Sequence, residues 1–465
     1  MLMMSWLKRL TGSPRLLVWL GLFVFAYAWL ASLLLQLWVI PTLFSQPGAA
    51  EGLVVLDSIG FDRIAKAKVV EIASLGWSAW ELKPQSQSPA GIASLFYTVL
   101  GPSPTSMLPF NAVVHALSAC AAMLILRNFF SVVPALIGAL VFALNPASFE
   151  WVAQIHRDGI FILGNLLFIC GIMSFFRPPV EGGSQWLRYL FNMGFMPVLG
   201  ITLVWVARPY WVQVMLVTTL LMLIPLVFVG MSRRLAKSRR HIAGLLAAFL
   251  CVVAFQVWLV KFHTPYEPIQ IPESISAASV NASESVEASP PFMSSPPLIW
   301  RRTSWLPEII EGRFYRIAIA REGAKSQGGN TLVDAKWRLD STGAMLGYVP
   351  RALQIGLFSP FPELWGGIAS TPAMTMARKV VCGVTLFFYV CLFGLGIGLW
   401  QLRRNMLLWV MIGVCLIGIL NYALTYPNIG TLMRYRYGFY MLLVGFGLAS
   451  WCELWLRRLP YRDRG

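Results

Sequence analysis

The chain has 465 residues, of which 57% are hydrophobic and only 12% charged, about half the roughly 25% charged share of ordinary soluble domains. A soluble globule of this size would lack the polar surface to cover itself, so the composition points to a membrane protein. The formal net charge of +17 sits in short Lys/Arg groups between long apolar runs, which orients membrane proteins, and no nucleic-acid partner is expected.

A helix that crosses the hydrocarbon core needs about 20 mostly apolar residues. Ten stretches qualify: 16–40, 107–126, 133–147, 159–176, 189–207, 210–231, 242–260, 378–401, 406–425 and 437–456. The first is too long for a signal peptide and lacks a small-residue cleavage site, so it is expected as a retained span. The loop 41–106 is predicted to hold a surface helix over 59–75, where Ile59, Ile64, Ala65, Val69 and Ile72 recur at helical spacing. A second long loop, 261–377, opens with a Ser/Pro/Glu-rich stretch at 264–299 that is expected to be mobile. Its continuation, 300–365, has a Gly-rich turn at Gly328 and Gly329 and is expected as a small cap. The chain is thus read as an N-terminal membrane module (1–260), a large outer loop (261–377) and a C-terminal membrane module (378–465).

With ten spans, the basic groups at Lys8/Arg9/Arg15, Arg127, Arg177/Arg188, Arg233 to Arg240, Arg403/Arg404 and Arg457 to Arg464 all fall on one side. The expected topology is a multi-pass protein of the bacterial inner membrane with both termini cytoplasmic. No internal repeat is visible. The seven cysteines all lie in apolar runs without a C-x-x-C pair and read as small buried hydrophobes rather than disulfides or zinc ligands.

Polar groups at the outer ends of apolar helices are costly and mark candidate chemistry. Asp57 and Asp62, five residues apart, would sit on different faces of a helix; one would serve as a general base, or Asp57 would simply cap the helix. Glu150, His156, Arg157 and Asp158 gather between the third and fourth spans, where an Arg–His pair suits a phosphate and a local salt bridge is the plainer alternative. Arg208 lies at the junction of the fifth and sixth spans, beside Tyr210 and Trp211. Arg434 and Arg436, interleaved with tyrosines, read as an anion clamp or as a brace for the last hairpin. Arg351 falls in a segment, 343–357, expected to be amphipathic, before the aromatic run Phe358 to Pro362. His115 and His241 read as packed residues, and the sequon at Asn281 carries no weight.

In these features the chain resembles the GT-C superfamily of membrane glycosyltransferases, in the branch similar to protein mannosyltransferases and aminoarabinose transferases. The resemblance rests on the acidic residue in Asp57-Ser58-Ile59-Gly60-Phe61-Asp62 after the first span, the Pro-containing Ser88-Pro89-Ala90-Gly91 before the second, the polar motif from Gln154 to Asp158, and Asn428 to Arg436, which is similar to bacterial polysaccharide-cluster members. It covers about 10–240 and 340–450. Asp57 is followed by Ser58 where such enzymes carry a second acid.

The resemblance implies an all-α polytopic bundle of about ten transmembrane helices with surface helices on its outer face. It implies transfer of a sugar from a polyprenyl-phosphate donor to an acceptor (a glycan, lipid or protein) at the outer face. Asp57, and next Asp62, would deprotonate the acceptor. His156, Arg157, Arg208, Arg434 and Arg436 would hold the lipid phosphate, with Asp158, Glu150 and Arg351 as further candidates. No cofactor is required; a divalent metal is compatible with the scheme. Two alternatives stand beside it: an O-antigen polymerase or ligase acting on undecaprenyl-linked saccharides, and a lipid-linked sugar flippase.

Overall fold

The structure is a computed structural model that describes residues 15–45, 47–176, 183–231, 239–263, 298–326, 328, 331–365 and 372–458. Among these the protein is helical, and extended pairing is confined to two isolated bridges, Arg301 with Ser341 and Leu332 with Asn428. The helices are α1 (Arg15–Leu34), α2 (Leu56–Leu75), α3 (Ser88–Leu100), α4 (Leu108–Leu126), α5 (Val132–Leu144), α6 (Phe149–Val152), α7 (Asp158–Ser174), α8 (Gly183–Ala207), α9 (Trp211–Met231) and α10 (Arg239–His263). They continue with α11 (Glu308–Ser326), α12 (Thr342–Phe358), α13 (Pro372–Leu402), α14 (Met406–Thr425), α15 (Ile429–Tyr435) and α16 (Tyr437–Arg458). The basic residues Lys8, Arg9, Arg177, Arg233, Arg234, Lys237, Arg462 and Arg464, the turn residue Gly329, and Asn281 with most of the Ser/Pro/Glu-rich stretch lie outside the described residues.

Among the described residues six helices are long and apolar enough to cross a membrane: Arg15–Leu43, Pro104–Leu126, Gly244–Phe262, Arg378–Leu402, Met406–Thr425 and Tyr437–Arg457. A seventh is reached if α5 and the segment Pro146–Val152, bent by 48°, count together as one span. The predicted fourth, fifth and sixth spans coincide with shorter apolar helices, Asp158–Ser174, Asn192–Ala207 and Trp211–Leu226. The protein is therefore a multi-pass helical membrane protein.

The first span shows why these runs belong in lipid. Leu20, Val24, Ala28, Ser32, Gln36 and Ile40 are buried at four-residue intervals, one narrow stripe of the helix. The stripe packs on Ala116, Ala119 and Met123 of α4 and on Ala139 and Ala143 of α5. Around it Val18, Leu22, Phe23, Leu30, Leu37 and Trp38 are more than half exposed. An apolar surface of that extent is tolerated where the surroundings are hydrocarbon.

The chain divides into two compact units. The first comprises Met1–Pro265, Leu386–Cys415 and Tyr440–Gly465; the second comprises Tyr266–Thr385 and Leu416–Phe439. In the first, α7 and α8 run antiparallel in close contact. A Cβ on Gly200 would come within 2.5 Å of Gly164 O, and one on Gly171 within 2.4 Å of Pro197 Cδ. Small residues at such crossings let membrane helices approach backbone to backbone. This crossing brings the start of α7, Asp158, beside the end of α8, Arg208.

The predicted surface helix is present as α2. Phe61, Ala65 and Ile72 form its buried face, with Asp62 and Lys68. Phe61 and Ala65 pack with Ala90, Ala93 and Tyr97 of α3 and with Met107 and Ile155. Burial of a side chain such as Phe61 contributes about 1.5–3 kcal/mol. The segment around Ser88, read from sequence only as a Pro-containing approach to the second span, is the helix α3, opened by Pro89 in its first turn.

The second unit is organised around buried arginines. Arg321 of α11, fully buried, donates to Ala423 O and Leu424 O at the end of α14 and to the Tyr348 hydroxyl. Tyr348 in turn donates to Asp334 Oδ2 at 3.0 Å, which also accepts from Arg351 Nε at 2.9 Å. Asp334 holds a left-handed backbone with φ +54°. Burial alone would raise its carboxyl, but the hydrogen bonds from Arg351 and Tyr348 hold it below the ordinary carboxylate value. Burial also pushes the Tyr348 hydroxyl up to about 12. Arg351 is thereby an ion-pair partner within α12. The expected amphipathic segment is this helix, with Met345, Tyr348, Ala352 and Ile355 on its buried side.

Candidate active site

The site begins with a loop that the sequence marks by its amides. After α5 the chain breaks at Asn145-Pro146, and Asn145 Oδ1 accepts from Ala147 N at 3.2 Å to start the next turn. Between the end of the short α6 and the start of α7 the backbone leaves helical pairing, and side-chain amides from distant elements satisfy carbonyls there. Gln36, at the end of the first span, donates to Ala153 O at 2.7 Å. Asn111 of α4 donates to Val152 O and Gln154 O at 3.1 and 2.8 Å.

Gln154, buried at 2% exposure, ties this loop to the start of α2. Its Nε2 donates to Gly52 O at 2.9 Å, and its Oε1 accepts from Val54 N at 3.0 Å and Val55 N at 3.5 Å. Gly52 has φ +78°, and a Cβ there would lie 2.6 Å from Gln36 O, so only glycine fits. Gln154 therefore sets the residues just before Asp57 against the residues just before His156.

His156 stands between two carboxylates. Its Nε2 lies 3.9 Å from Asp57 Oδ2, and its Nδ1 lies 3.2 Å from Asp158 Oδ2. Asp158 pairs closely with Arg208. The order Asp57, His156, Asp158, Arg208 alternates in sign when the imidazole is protonated. His156, Asp158 and Arg208 are buried, whereas the Asp57 side chain is half exposed. The chain thus leads from a sealed ion pair to one carboxylate at the surface. Asp158 opens α7 and Asp57 lies in the first turn of α2, positions where the helix dipole favours a carboxylate. Val55, not Asp57, occupies the N-cap position of α2.

Aromatic rings close the sides. Phe61 meets the His156 ring edge-on at 6.4 Å, and the Arg157 guanidinium lies 5.6 Å from the centre of the Phe61 ring. Arg208 lies 4.8 Å from the Phe161 ring, Phe161 meets Trp211 edge-to-face, and Trp211 Nε1 donates to Asn165 Oδ1 at 3.1 Å. Nearby in sequence to Arg208, Trp205 receives Lys83: Nζ lies 3.6 Å above its ring and donates to its carbonyl at 3.3 Å. Burial lowers the Lys83 ammonium from its ordinary value.

No protein-family model, curated protein or solved structure matches this chain.

The remaining candidates are placed as follows. Asp62 is buried on the packed face of α2, where Tyr97 donates to Oδ1 at 2.6 Å and Lys66 pairs with Oδ2 at 2.8 Å. The two aspartates therefore do occupy different faces and different surroundings. Burial would lower Lys66, but Asp62 and Glu51 hold it above its ordinary value. Glu150 is exposed in the first turn of α6, and Arg157 is half-buried.

Arg434 and Arg436 belong to the second unit. Arg436 is buried and donates to Ile355 O at 3.0 Å, to Gly356 O, and to Ser359 Oγ and O. It thereby satisfies the open carbonyls at the end of α12. Arg434 is half-buried and donates to the Tyr435 hydroxyl at 3.4 Å. His115 is packed in α4, its Nε2 2.9 Å from Ala143 O. Among the described residues, no three His, Cys, Asp or Glu side chains are arranged to hold a metal ion.

Residues passed over in the sequence are Gln36, Asn111, Gln154 as a positioning group, Lys83 and Arg321. For the first two a signal was present: a carboxamide inside an apolar run is costly unless it has work.

Proposed function

We propose that the protein is a membrane glycosyltransferase of GT-C type, moving a sugar from a polyprenyl-phosphate donor to an acceptor hydroxyl at the outer face of a bacterial inner membrane. About ten spans, with both termini cytoplasmic, complete this reading. The observation that carries it is the chain from Arg208 through Asp158 and His156 to the half-exposed carboxylate of Asp57.

In this mechanism the acceptor oxygen attacks the anomeric carbon. The bond from that carbon to the phosphate oxygen breaks, and polyprenyl phosphate leaves with the bonding electrons. Asp57 takes the acceptor proton as general base. His156 presents Nε2 to Asp57 Oδ2 at 3.9 Å and so orients that carboxylate, while its Nδ1 accepts from the Asp158 amide at 3.3 Å and the buried Asp158–Arg208 pair lies behind the ring. Arg157, half-buried beside Phe61, is the cation best disposed to meet the leaving phosphate. Arg208 is committed to Asp158 and Arg436 to backbone carbonyls, so in this scheme they position rather than bind. A divalent metal, if bound, would add to the stabilisation of the leaving phosphate.

The test uses the full-length protein in liposomes with a panel of polyprenyl-phosphate sugars labelled in the sugar. The expected result is label transfer and release of polyprenyl phosphate by the wild type. Asp57→Asn should reduce turnover by about 100-fold or more with donor binding held within about threefold. Arg157→Gln should act mainly on KM. Absence of turnover across the panel, or an Asp57→Asn variant at wild-type rate, overturns the proposal.

A further inference from the structure

The second unit contains a cleft that sugar transfer does not use. It is open, about 480 Å3 in volume, and its walls come from two short stretches, 301–305 and 341–346. These stretches are locked together. Arg301 N donates to Asp340 O at 2.8 Å, and Arg301 bridges Ser341. Glu311 of α11, buried, accepts from Trp300 Nε1 at 3.2 Å and Thr303 N at 2.6 Å. The cleft walls are thus held by the protein's own hydrogen bonds.

Three features of its lining agree in sign. The first is the N-terminus of α12, a helix of 17 residues. Ser341 caps it by accepting from Ala344 N at 3.2 Å, which leaves the first amides, of Thr342 and Gly343, at the cleft. The second is Thr342 itself. It is 2% exposed, it lines the cleft, and its Oγ1 has no hydrogen-bond partner. A buried hydroxyl in that state costs free energy that a ligand oxygen would recover. The third is the pair Arg301 and Arg302. Arg301 Nη2 donates to both carboxylate oxygens of Asp340, and Arg302 pairs with Glu308 at 3.7 Å. None of the carboxylates of Glu308, Glu311 and Asp340 lines the cleft. Gly343 adds access, since a Cβ there would meet nothing within 4 Å.

We infer that this cleft binds a phosphate group, held by the α12 amides and the Thr342 hydroxyl and charge-matched by Arg301 and Arg302. Trp305 and Leu346, 74% and 51% exposed, flank it. Aromatic and aliphatic side chains around a basic phosphate site suit the headgroup of an anionic lipid at the bilayer surface. The inference does not depend on the glycosyltransferase reading, because none of these residues belongs to the Asp57–His156 chain.

The experiment places the full-length protein in phosphatidylcholine nanodiscs and titrates dihexanoyl phosphatidic acid and, separately, inorganic phosphate, by calorimetry. The expected result is saturable binding of the phosphatidic acid. Arg302→Gln and Thr342→Val should each weaken it by about tenfold, and Thr342→Ser should stay within about twofold. Gly343→Leu, which enters open space and removes no charge, should also weaken binding by shading the amides. That variant keeps the test decisive if another fails to fold. Phosphatidic acid bound much more tightly than inorganic phosphate identifies a lipid headgroup; equal affinity with the same variant pattern identifies free phosphate. Absence of binding by both probes, or affinities unchanged across the variants, overturns the inference.

Discussion

Removal of the positive end of the buried chain, by Arg208→Met, is the sharpest test of the site's construction. Arg208 and Asp158 are 2% and 1% exposed, so the substitution leaves a carboxylate with no water to solvate it. Breaking such a pair from one side costs about 3–5 kcal/mol. One effect offsets part of this: Asp158 opens α7, where the dipole is worth about 0.5–1 kcal/mol. The expected loss is therefore about 3 kcal/mol, or about 150-fold in the folded-to-unfolded ratio. The double variant Arg208→Met with Asp158→Leu removes both charges and should recover about 2 kcal/mol of that loss. Reversible unfolding in mixed micelles, titrated with SDS and followed by circular dichroism, measures both. A single variant within about 0.5 kcal/mol of the wild type, or a double variant no more stable than the single, would refute the claim that the pair is sealed from solvent.

Three further outcomes are expected. Gln154→Ala strips the acceptor for Val54 and Val55 and the donor to Gly52; it should cost about 1–3 kcal/mol and depress turnover by more than stability accounts for, measured as kcat per folded molecule. Gly200→Leu collides with the backbone of α7 and should cost about 1–3 kcal/mol, measured by the same SDS unfolding titration. In the second unit, folding lowers the Asp334 carboxyl, so the unfolded chain takes up that proton first. Its contribution is complete above the ordinary carboxylate range near pH 4 and is lost as pH falls through the lower folded value. Amide protection of α12 should drop on acidification, and Asp334→Asn should flatten that dependence.

The spans were legible because twenty apolar residues in a row leave a helix in lipid few alternatives. Each of the ten predicted runs meets a helix, although among the described residues six helices pass as spans by length and composition, and the third run is interrupted by the 48° bend after Asn145. The surface helix α2 was legible from its spacing, but its buried face is set by Phe61 and Ala65 and not by Ile59. Helix α11 was hidden, since Glu308 to Ser326 mixes charges with aliphatics around the whole circumference. The residues Asp57, His156, Asp158 and Arg208 were each visible as charges out of place in an apolar chain. Their order was not, because a contact between residues 57 and 156 or 158 and 208 has no local periodicity. Gln154 was quoted only as part of a motif, and its hold on residues 52–55 is a side-chain-to-backbone bond that leaves no mark in composition.

The long reach of that glutamine has a consequence for biogenesis. Gln36 and Gly52 leave the ribosome about a hundred residues before Ala153 and Gln154, to which they bond. Until then the nascent first loop has a carboxylate at 57 and no scaffold to aim it. Membrane insertion of the early helices must therefore be followed by a separate closing event, in which Ala153 and Gln154 are hydrogen-bonded to the earlier segments at Gln36 and Gly52 to Val55. A ligand of the stalled, partly translated protein would meet a surface that the finished protein never displays.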